Sequence, residues 1–468
     1  MRLRMGEVAD SLGSACGVPE RVVEGYSIDS RSLQPGELFL AICGPRLDGH
    51  QFVAAALDRG AAGAVVNEAF AASSEPSQRL ALIPVPDTVQ ALQGLARSVR
   101  RKWGGRVVAV TGSTGKTTTK EMIAAILGEG LRVHKSRGNL NNYYGLPLAL
   151  LALEPHHEVA VLELAMSAPG EIALLAQIAE PQVAVVTNVA PVHLQFFDSV
   201  DSIARAKYEL IENLQMPATA VLNYDDARVR RFAEGFEGRV VTFGLGEGAD
   251  FRGQDVRAIA TGKSQFHVTG PELSGTFELP MPGRYNVLNA LAAITTASLF
   301  EVPIEKFRDA FASFQNVHQR GEILTLPGEV TVINDCYNSN PLAMERALEM
   351  LGAWPGAARK IVVAGEMLEL GPTSPQLHRE IGRKCAEVGV DWLLAVQGDA
   401  RSFLEGAIER GLPAERTRFW GKAEEAAQFC RTLVQAGDVV LIKGSRAVHL
   451  EGVAEALSSS PVKSALNK

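Results

Sequence analysis

The sequence predicts an α/β protein of three domains. These are a small N-terminal α/β domain over residues 1–102, a central domain over 103–317 with a mostly parallel sheet and a phosphate loop, and a C-terminal Rossmann-like domain over 318–468. Three observations predict it. The chain has 468 residues, enough for about two to four domains. Apolar runs of about four to six mostly β-branched residues recur along it. They are too short for helices and have the continuous apolar character of strands buried on both faces of a parallel sheet. Helix-like stretches alternate with those runs, as a doubly wound arrangement requires.

In the first domain the strand-like runs are VVEGYSIDS, GELFLAI, GAVVN and LALIPV, separated by glycines and prolines. AFAASSEPSQ, residues 70–79, is small and polar and reads as a surface loop. VQALQGLARSVRRKW has a helical pattern and leads into the second domain. There RVVAV, VAVLEL, VAVVTNV, TAVLN and VVTFG read as strands. Residues 249–280 are less regular, as an added hairpin would be, and PMPGRYNVLNALAAITTASLF reads as a turn followed by a long apolar helix. In the third domain TVINDCY, KIVVAGE, WLLAVQG and DVVLIKGS are strand-like. The tail SSSPVKSALNK is expected to fray.

Composition excludes several classes. At 46% hydrophobic and 21% charged the chain is of ordinary globular character. No apolar run approaches the roughly 18 residues of a membrane span, so no membrane insertion is expected. The start, MRLRMGEVADSLG, lacks a signal-peptide core. Cys16, Cys43, Cys336, Cys385 and Cys430 are scattered, with no CxxC pair. Neither a disulfide framework nor a zinc ribbon is indicated, and a reducing cytoplasm fits. The net charge is -7 with no long basic run, which argues against a nucleic-acid partner.

The most informative stretch is VVAVTGSTGKTTTKEM, residues 107–122: strand, turn, helix. Gly112 and Gly115 let backbone N–H groups approach phosphate oxygens, and the dipole of the helix beginning near Lys116 favours an anion. Lys116 is expected at the β/γ-phosphates and the Thr117 hydroxyl on Mg²⁺. Ser113, Thr114 and Thr118 complete the expected nucleotide contacts. The glycine usual earlier in such loops is replaced by Val110, so the loop is a shortened variant.

Two further groups belong at the same edge of the sheet. Glu163 ends the strand AVLEL, and His193 follows VAVVTNV. Ligands of parallel sheets bind beyond the carboxyl ends of the strands. A carboxylate and an imidazole there can hold a second divalent ion, or water on the first. In GNLNNYYGLPLALL, residues 138–151, Asn139, Asn141 and Asn142 suit a polar substrate or a turn.

These motifs together resemble the Mur ligases, ATP-dependent amide-forming enzymes of peptidoglycan precursor synthesis. TGSTGKTT resembles their shortened phosphate loop, VLELAMS their Glu-Leu-Gly-Met motif, and TNVAPVHLQFF their Thr-Asn-x-x-x-x-His-Leu segment. AKYELI resembles the segment whose lysine is carbamylated in many members, and PGRYNVLNALAA the adenine-side motif. INDCYNSNP, VAGEMLELG and LIKGSR extend the likeness to the third domain, so it covers nearly the whole chain in order. Within the family, GNLNNYYGLP, NDCYNSNP and GEMLELG are most similar to the branch that joins D-alanyl-D-alanine to UDP-N-acetylmuramoyl-tripeptide. SIDSRSLQPGELFLAICGPRLDGHQF resembles a uridine-nucleotide domain. Five residues depart from the family pattern: Tyr285 for the usual His, Ala165 and Ser167 for Gly and Asn, Glu366 for Asp, and Ser339 for Ala.

The resemblance implies the following roles. ATP phosphorylates the terminal carboxylate of the tripeptide, and the amine of the dipeptide attacks the acyl phosphate. Lys116, Lys207, His193 and Glu163 are implied at the reacting groups. Thr117, Glu163, His193 and a carbamylated Lys207 would hold metal, in all two Mg²⁺ ions. Asn289 would touch adenine, Arg320 the phosphates and Asp335 the ribose. Ser30, Arg31, Gly44, Asp48 and His50 would bind the uridine diphosphate. Asn338 and Asn340 would orient the dipeptide, Lys443, Ser445 and Arg446 would bind a carboxylate, and Glu366 and Glu369 would steer or deprotonate the amine. Cys336 is expected to be a packed thiol. Three divided sites imply large closing motions around a reactive acyl phosphate. A cytoplasmic monomer is expected. The competing expectations are a sister ligase that adds the third peptide residue, a folate polyglutamate ligase, or a P-loop switch that hydrolyses ATP without an amino substrate.

Overall fold

The computed structural model describes residues 1–44, 47–260 and 262–459. Three sheets carry the chain, with a small two-stranded ribbon between Leu3–Arg4 and Val22–Val23. The N-terminal sheet is four-stranded and parallel: Gly25–Ser27, Glu37–Leu40, Gly63–Asn67 and Leu82–Val85, in that order. Helix Thr88–Trp103 links it to the next unit. Asp87 caps the helix by accepting from the N–H groups of Val89 and Gln90, and Gly104, left-handed at φ 73°, ends it. Its buried face, including Leu92, Leu95 and Val99, shares one apolar core with Leu3 and Val8 on one side and Leu150 and Leu162 on the other. The N-terminal unit is thus anchored to the central one by continuous packing.

The central sheet has nine strands. Its interior strand Arg106–Thr111 lies between Val183–Val186 and Val159–Glu163, all parallel. Val110 pairs with Glu163 and Thr111 with Val186. That register puts the loop after Thr111, the Glu163 carboxylate and the segment after Val186 at one edge. Strands Phe251–Ala260, Lys263–Thr269 and Ser274–Leu279 extend the far side as an antiparallel meander, one strand more than the expected hairpin. Helices Lys116–Gly128 and Arg284–Ala297 cover one face, through Met122, Ile123, Leu291 and Ile294.

The C-terminal sheet has six strands. Glu322–Leu326 runs antiparallel to Val330–Asp335, and the rest are parallel, with Asp335 in register with Lys443. Two apolar layers, one around Leu348 and Phe403 and the other around Val363 and Val453, sandwich it.

Residues 70–79 are not a loop: helices Glu68–Ser73 and Pro76–Arg79 occupy much of the stretch. The Asn67 side chain accepts from the Phe70 N–H, and Pro76 sits in a first turn where its fixed φ suits a helix. The strands Val133–Lys135, Glu322–Leu326 and Thr417–Trp420 were not expected, since each is short and lacks an apolar run. The expected fraying of 458–468 lies outside the described residues beyond Ser459, while Ser458 ends the helix Glu451–Ser458. No helix among the described residues is long and apolar enough to cross a membrane.

Candidate active site

A cavity of about 350 Å³ opens where the carboxyl edges of the central and C-terminal sheets face each other. The phosphate loop forms its floor. Gly112 and Gly115 have φ of 148° and 80°. A Cβ on Gly112 would come within 1.9 Å of Thr187 Oγ1, and one on Gly115 within 2.3 Å of Asn289 Oδ1. Glycine is required at both places. Asn188 holds the loop: its Oδ1 accepts from Thr114 N at 3.0 Å and from Thr114 Oγ1 at 3.1 Å. Ser113 Oγ donates to Ala190 O and accepts from Ala190 N. The Lys116 ammonium folds back and donates to Gly112 O at 2.7 Å. Burial lowers its pKa, Glu163 opposes that, and Arg320 adds to it.

Glu163 is buried at 2% exposure. Its Oε2 accepts from Thr117 Oγ1 at 2.7 Å and its Oε1 from Asn141 Nδ2 at 2.8 Å. Among the described residues this carboxylate has no ion-pair partner, only neutral donors. A buried carboxylate so placed attracts a cation, and a carboxylate beside a hydroxyl suits hard Mg²⁺. No group of three or more His, Cys, Asp or Glu among the described residues could hold a metal by itself. An ion here must draw its other ligands from phosphate and water, as Mg²⁺ usually does.

His193, left-handed at φ 55°, lines the same cavity and places Nδ1 2.5 Å from Glu369 Oε2. Lys207, on the helix Val200–Glu212, is buried at 2% exposure, and its side chain makes no hydrogen bond or ion pair among the described residues. Burial lowers its pKa well below the usual lysine value, and the charge of Lys116 lowers it further.

The roof is C-terminal. Asp335 accepts from Lys443 Nζ at 2.6 Å, and Lys443 also donates to Asn338 O at 3.1 Å. Arg320 stacks on the Tyr337 ring at 4.0 Å from its centroid. Asn289 lines the side, with Asn286 Oδ1 accepting from its Nδ2 at 3.3 Å. Thr118, Asn142, Asn338 and Asn340 also line the cavity. Two of these amides have structural duties as well: Asn142 Oδ1 accepts from Gly145 N, and Asn340 Oδ1 from Ala343 N, each at a helix start. Tyr285 and Ser167 line the cavity too.

Other expected residues lie elsewhere. Asn139 is exposed and outside the cavity. Arg31 is exposed and paired with Asp29, whose carboxyl it holds down to about 2. Ser30 is beside it. Gly44 N donates to Leu47 O at 2.9 Å, and residues 45 and 46 lie outside the described residues. His50 is turned inward: Nδ1 meets Asp48 Oδ1 at 2.6 Å, and Nε2 accepts from Asn67 N at 2.9 Å. Both its ring nitrogens are thereby used within the fold. Glu366 is not at the cavity; its Oε1 accepts from Asp399 N, capping the turn Gly398–Ala400. Ser445 Oγ accepts from Leu368 N, and Arg446 lies over Tyr337 at 5.1 Å. Cys336 is buried, and burial pushes its thiol up to about 12, which makes it inert.

Sequence reasoning missed Asn188, Arg346, Tyr337 and Asn286. Asn188 and Asn286 stand inside quoted motifs and could have been found by asking what braces a glycine loop. Arg346, an arginine within a helix, carried no signal.

Three family models match the chain in order. They are "Mur ligase family, catalytic domain" at residues 22–100, "Mur ligase middle domain" at 110–297, and "Mur ligase, glutamate ligase domain" at 319–446. The chain is 34% identical over 443 residues to the UDP-N-acetylmuramoyl-tripeptide–D-alanyl-D-alanine ligase of Bacillus subtilis (strain 168), covering 95% of each. It is 31% identical over 464 residues to the Escherichia coli (strain K12) protein of the same name, covering 97% of this chain and 98% of that one. Among solved structures, MurF from Acinetobacter baumannii superposes with a TM-score of 0.88 at 30% identity, covering 98% of this chain and 99% of that one. MurF ligase from Thermotoga maritima in complex with ADP gives 0.80 at 32%, covering 93% and 97%.

Proposed function

The chain belongs to the Mur ligase family, and from that premise we propose that it joins D-alanyl-D-alanine to UDP-N-acetylmuramoyl-tripeptide, converting ATP to ADP and phosphate. It is an ATP-dependent carbon–nitrogen ligase of peptidoglycan precursor synthesis. The observation that carries the reading is a likeness at 34% identity to a ligase of that name over 95% of both chains. It works in the cytoplasm, as a monomer.

The terminal carboxylate of the tripeptide attacks the γ-phosphorus of ATP, giving an acyl phosphate and ADP. The dipeptide amine then attacks the acyl carbon, and the tetrahedral intermediate expels phosphate and leaves the amide. The first step brings anion to anion, so positive charge must gather around it. Lys116 supplies part of it: its ammonium can exchange the Gly112 carbonyl, 2.7 Å away, for phosphate oxygens. The loop N–H groups and the dipole of helix Lys116–Gly128 add to it. Mg²⁺, two ions when bound, would offset the remaining repulsion. Thr117 and Glu163 would hold one, and His193 with Lys207 the other. For that, the neutral Lys207 amine adds CO2, forming a carbamate and releasing a proton; its lowered pKa makes the neutral amine available.

Asn289 faces the adenine, Arg320 the phosphates and Asp335 the ribose. Asn141 and Asn142 meet the acceptor peptide. Ser30 and Arg31 remain at the surface for the uridine diphosphate, and Asp48 and His50 brace the loop behind them. Lys443 is neutralised by Asp335, so the exposed Arg446 is the better partner for the dipeptide carboxylate, with Asn338 and Asn340 orienting the backbone.

The test is phosphate release from Mg–ATP by the purified protein with UDP-N-acetylmuramoyl-tripeptide. D-alanyl-D-alanine is compared with lysine, diaminopimelate and glutamate. Release that requires the dipeptide, with a product heavier by the dipeptide unit, is expected. Release driven by a single amino acid and a shorter acceptor would overturn the substrate assignment, and steady release without any acceptor would overturn the ligase reading.

A further inference from the structure

Helix Pro341–Gly352 of the C-terminal unit carries Arg346 to the phosphate loop of the central unit. Arg346 Nη1 donates to Thr114 Oγ1 at 3.0 Å, across 232 positions of sequence. The side chain is half-buried and stands in the wall between the nucleotide cavity and a second, more apolar cavity lined by Leu288, Met350 and Trp354. Among the described residues, Thr114 is its only side-chain hydrogen-bond partner, and no carboxylate comes within the 4.0 Å of an ion pair. Asp226, Glu345 and Glu349 act on it only from farther away, and burial works against its charge.

This is an unusual place to leave a guanidinium. Its planar fork offers five N–H donors, and one hydroxyl takes one of them. A partly desolvated cation without a counter-ion is unfavourable. Lys116 and Arg320 line the same space with the carboxylates of Glu163 and Glu171, and among the described residues only Lys443 of the four lysine and arginine side chains there is ion-paired, with Asp335. Four cations thus face three carboxylates. The missing negative charge lies where the phosphate loop would hold a polyphosphate.

We propose that Arg346 binds the polyphosphate of the nucleotide: an arginine delivered by the C-terminal unit onto the loop of the central one. The inference rests on the reading that this loop binds ATP. Thr114 Oγ1 donates its own proton to Asn188 and offers a lone pair to Arg346, so the hydroxyl pre-aims the guanidinium at the loop. The unused donors then take phosphate oxygens. Nucleotide thereby ties the two units together, because one ligand is gripped from both.

The test is calorimetric binding of AMP, ADP and ATP, with Mg²⁺, to the full-length protein and to Arg346→Gln and Arg346→Lys. Losing a charge-assisted pair predicts ATP affinity about 10- to 100-fold weaker in Arg346→Gln, with ADP intermediate and AMP within about twofold of wild type. Arg346→Lys recovers part of the loss, because the charge returns without the fork. Millimolar guanidinium partly restores ATP binding to Arg346→Ala, which a purely structural defect would not allow. Equal loss for AMP and ATP, or no loss for ATP, would overturn the proposal and leave Arg346 as a clamp on Thr114. If Arg346→Gln does not fold, the ATP-to-AMP affinity ratio of Arg346→Lys decides in the same way. Failure of the wild type itself to bind ATP would instead sink the underlying reading of the loop, and this inference with it.

Discussion

His193 of the central unit and Glu369 of the C-terminal unit meet at 2.5 Å, Nδ1 to Oε2, across 176 positions of sequence. The backbone repeats the join, with Gln195 N donating to Glu369 O at 3.1 Å. Both residues have positive φ, 55° and 64°, a conformation costing about 1 kcal/mol or more for a non-glycine residue. The contact is therefore a defined junction between two units. It also holds the imidazole assigned to metal binding.

Two substitutions separate those duties. Glu369→Gln and His193→Ala each weaken or remove one partly exposed hydrogen bond, so each changes stability by about 1 kcal/mol. His193→Ala in addition lowers turnover about 100-fold, whereas Glu369→Gln lowers it only a few-fold. Melting curves and phosphate-release rates check this. Equal rates in the two variants would reduce His193 to a junction residue.

Glu163→Gln replaces a buried acceptor of two hydrogen bonds with a group that has one acceptor oxygen and an amide. Either Thr117 or Asn141 then faces a donor, costing about 1–3 kcal/mol of stability. Turnover falls at least about 100-fold, and the Mg²⁺ concentration for half-maximal rate rises. An unchanged Mg²⁺ dependence would remove Glu163 from the metal site.

Lys207 has a buried amine with a lowered pKa and no hydrogen-bond or ion-pair partner among the described residues. Protein purified free of CO2 and bicarbonate is expected to be poorly active and to recover on adding bicarbonate. With ¹³C-bicarbonate, a carbamate carbon appears in the NMR spectrum of the wild type and not of Lys207→Arg. The neutral fraction rises with pH, so recovery is faster at pH 8 than at pH 6.5. Full activity without bicarbonate, and no ¹³C signal, would refute the carbamate.

His134 gives a stability test away from the site. Burial pushes its pKa down to about 4 from 6.5, and His157, Arg137 and the N-terminal ammonium act in the same direction. The hydrogen bond to Ala149 O at 2.7 Å opposes them. Between those two values the unfolded chain binds the extra proton, so stability is full above pH 6.5 and declines as pH falls toward about 4. The slope approaches roughly 1.4 kcal/mol per pH unit. His134→Gln should flatten the melting temperature between pH 7 and pH 5. An identical slope in both proteins would assign the acid sensitivity to other groups.

Much of the fold was legible because buried parallel strands announce themselves as unbroken apolar runs rich in β-branched residues. Val107–Val110, Val159–Leu162 and Val439–Ile442 are all buried and all readable. Val133–Lys135 and Thr417–Trp420 were not, since short edge strands carry polar residues and are fixed by pairing rather than by pattern. The phosphate loop, Glu163 and His193 were legible through spacing and strand ends. Sequence cannot say which way a side chain turns once packed. Nothing local distinguishes a His50 that uses both nitrogens inward, or a Glu366 that caps a turn, from residues facing a ligand. Arg346 was invisible because its meaning depends on a loop 232 positions away.

The residues lining the nucleotide cavity begin at Ser113 and end at Lys443. Protein synthesis is directional, and N-terminal units fold first as the chain emerges. The loop and Glu163 are thus made long before Tyr337, Arg346 and Lys443. A half-made chain on the ribosome has the floor of the cavity without its roof, and nothing to keep water from an activated acyl group. The cavity is complete only once the strand Val439–Lys443 has joined the C-terminal sheet.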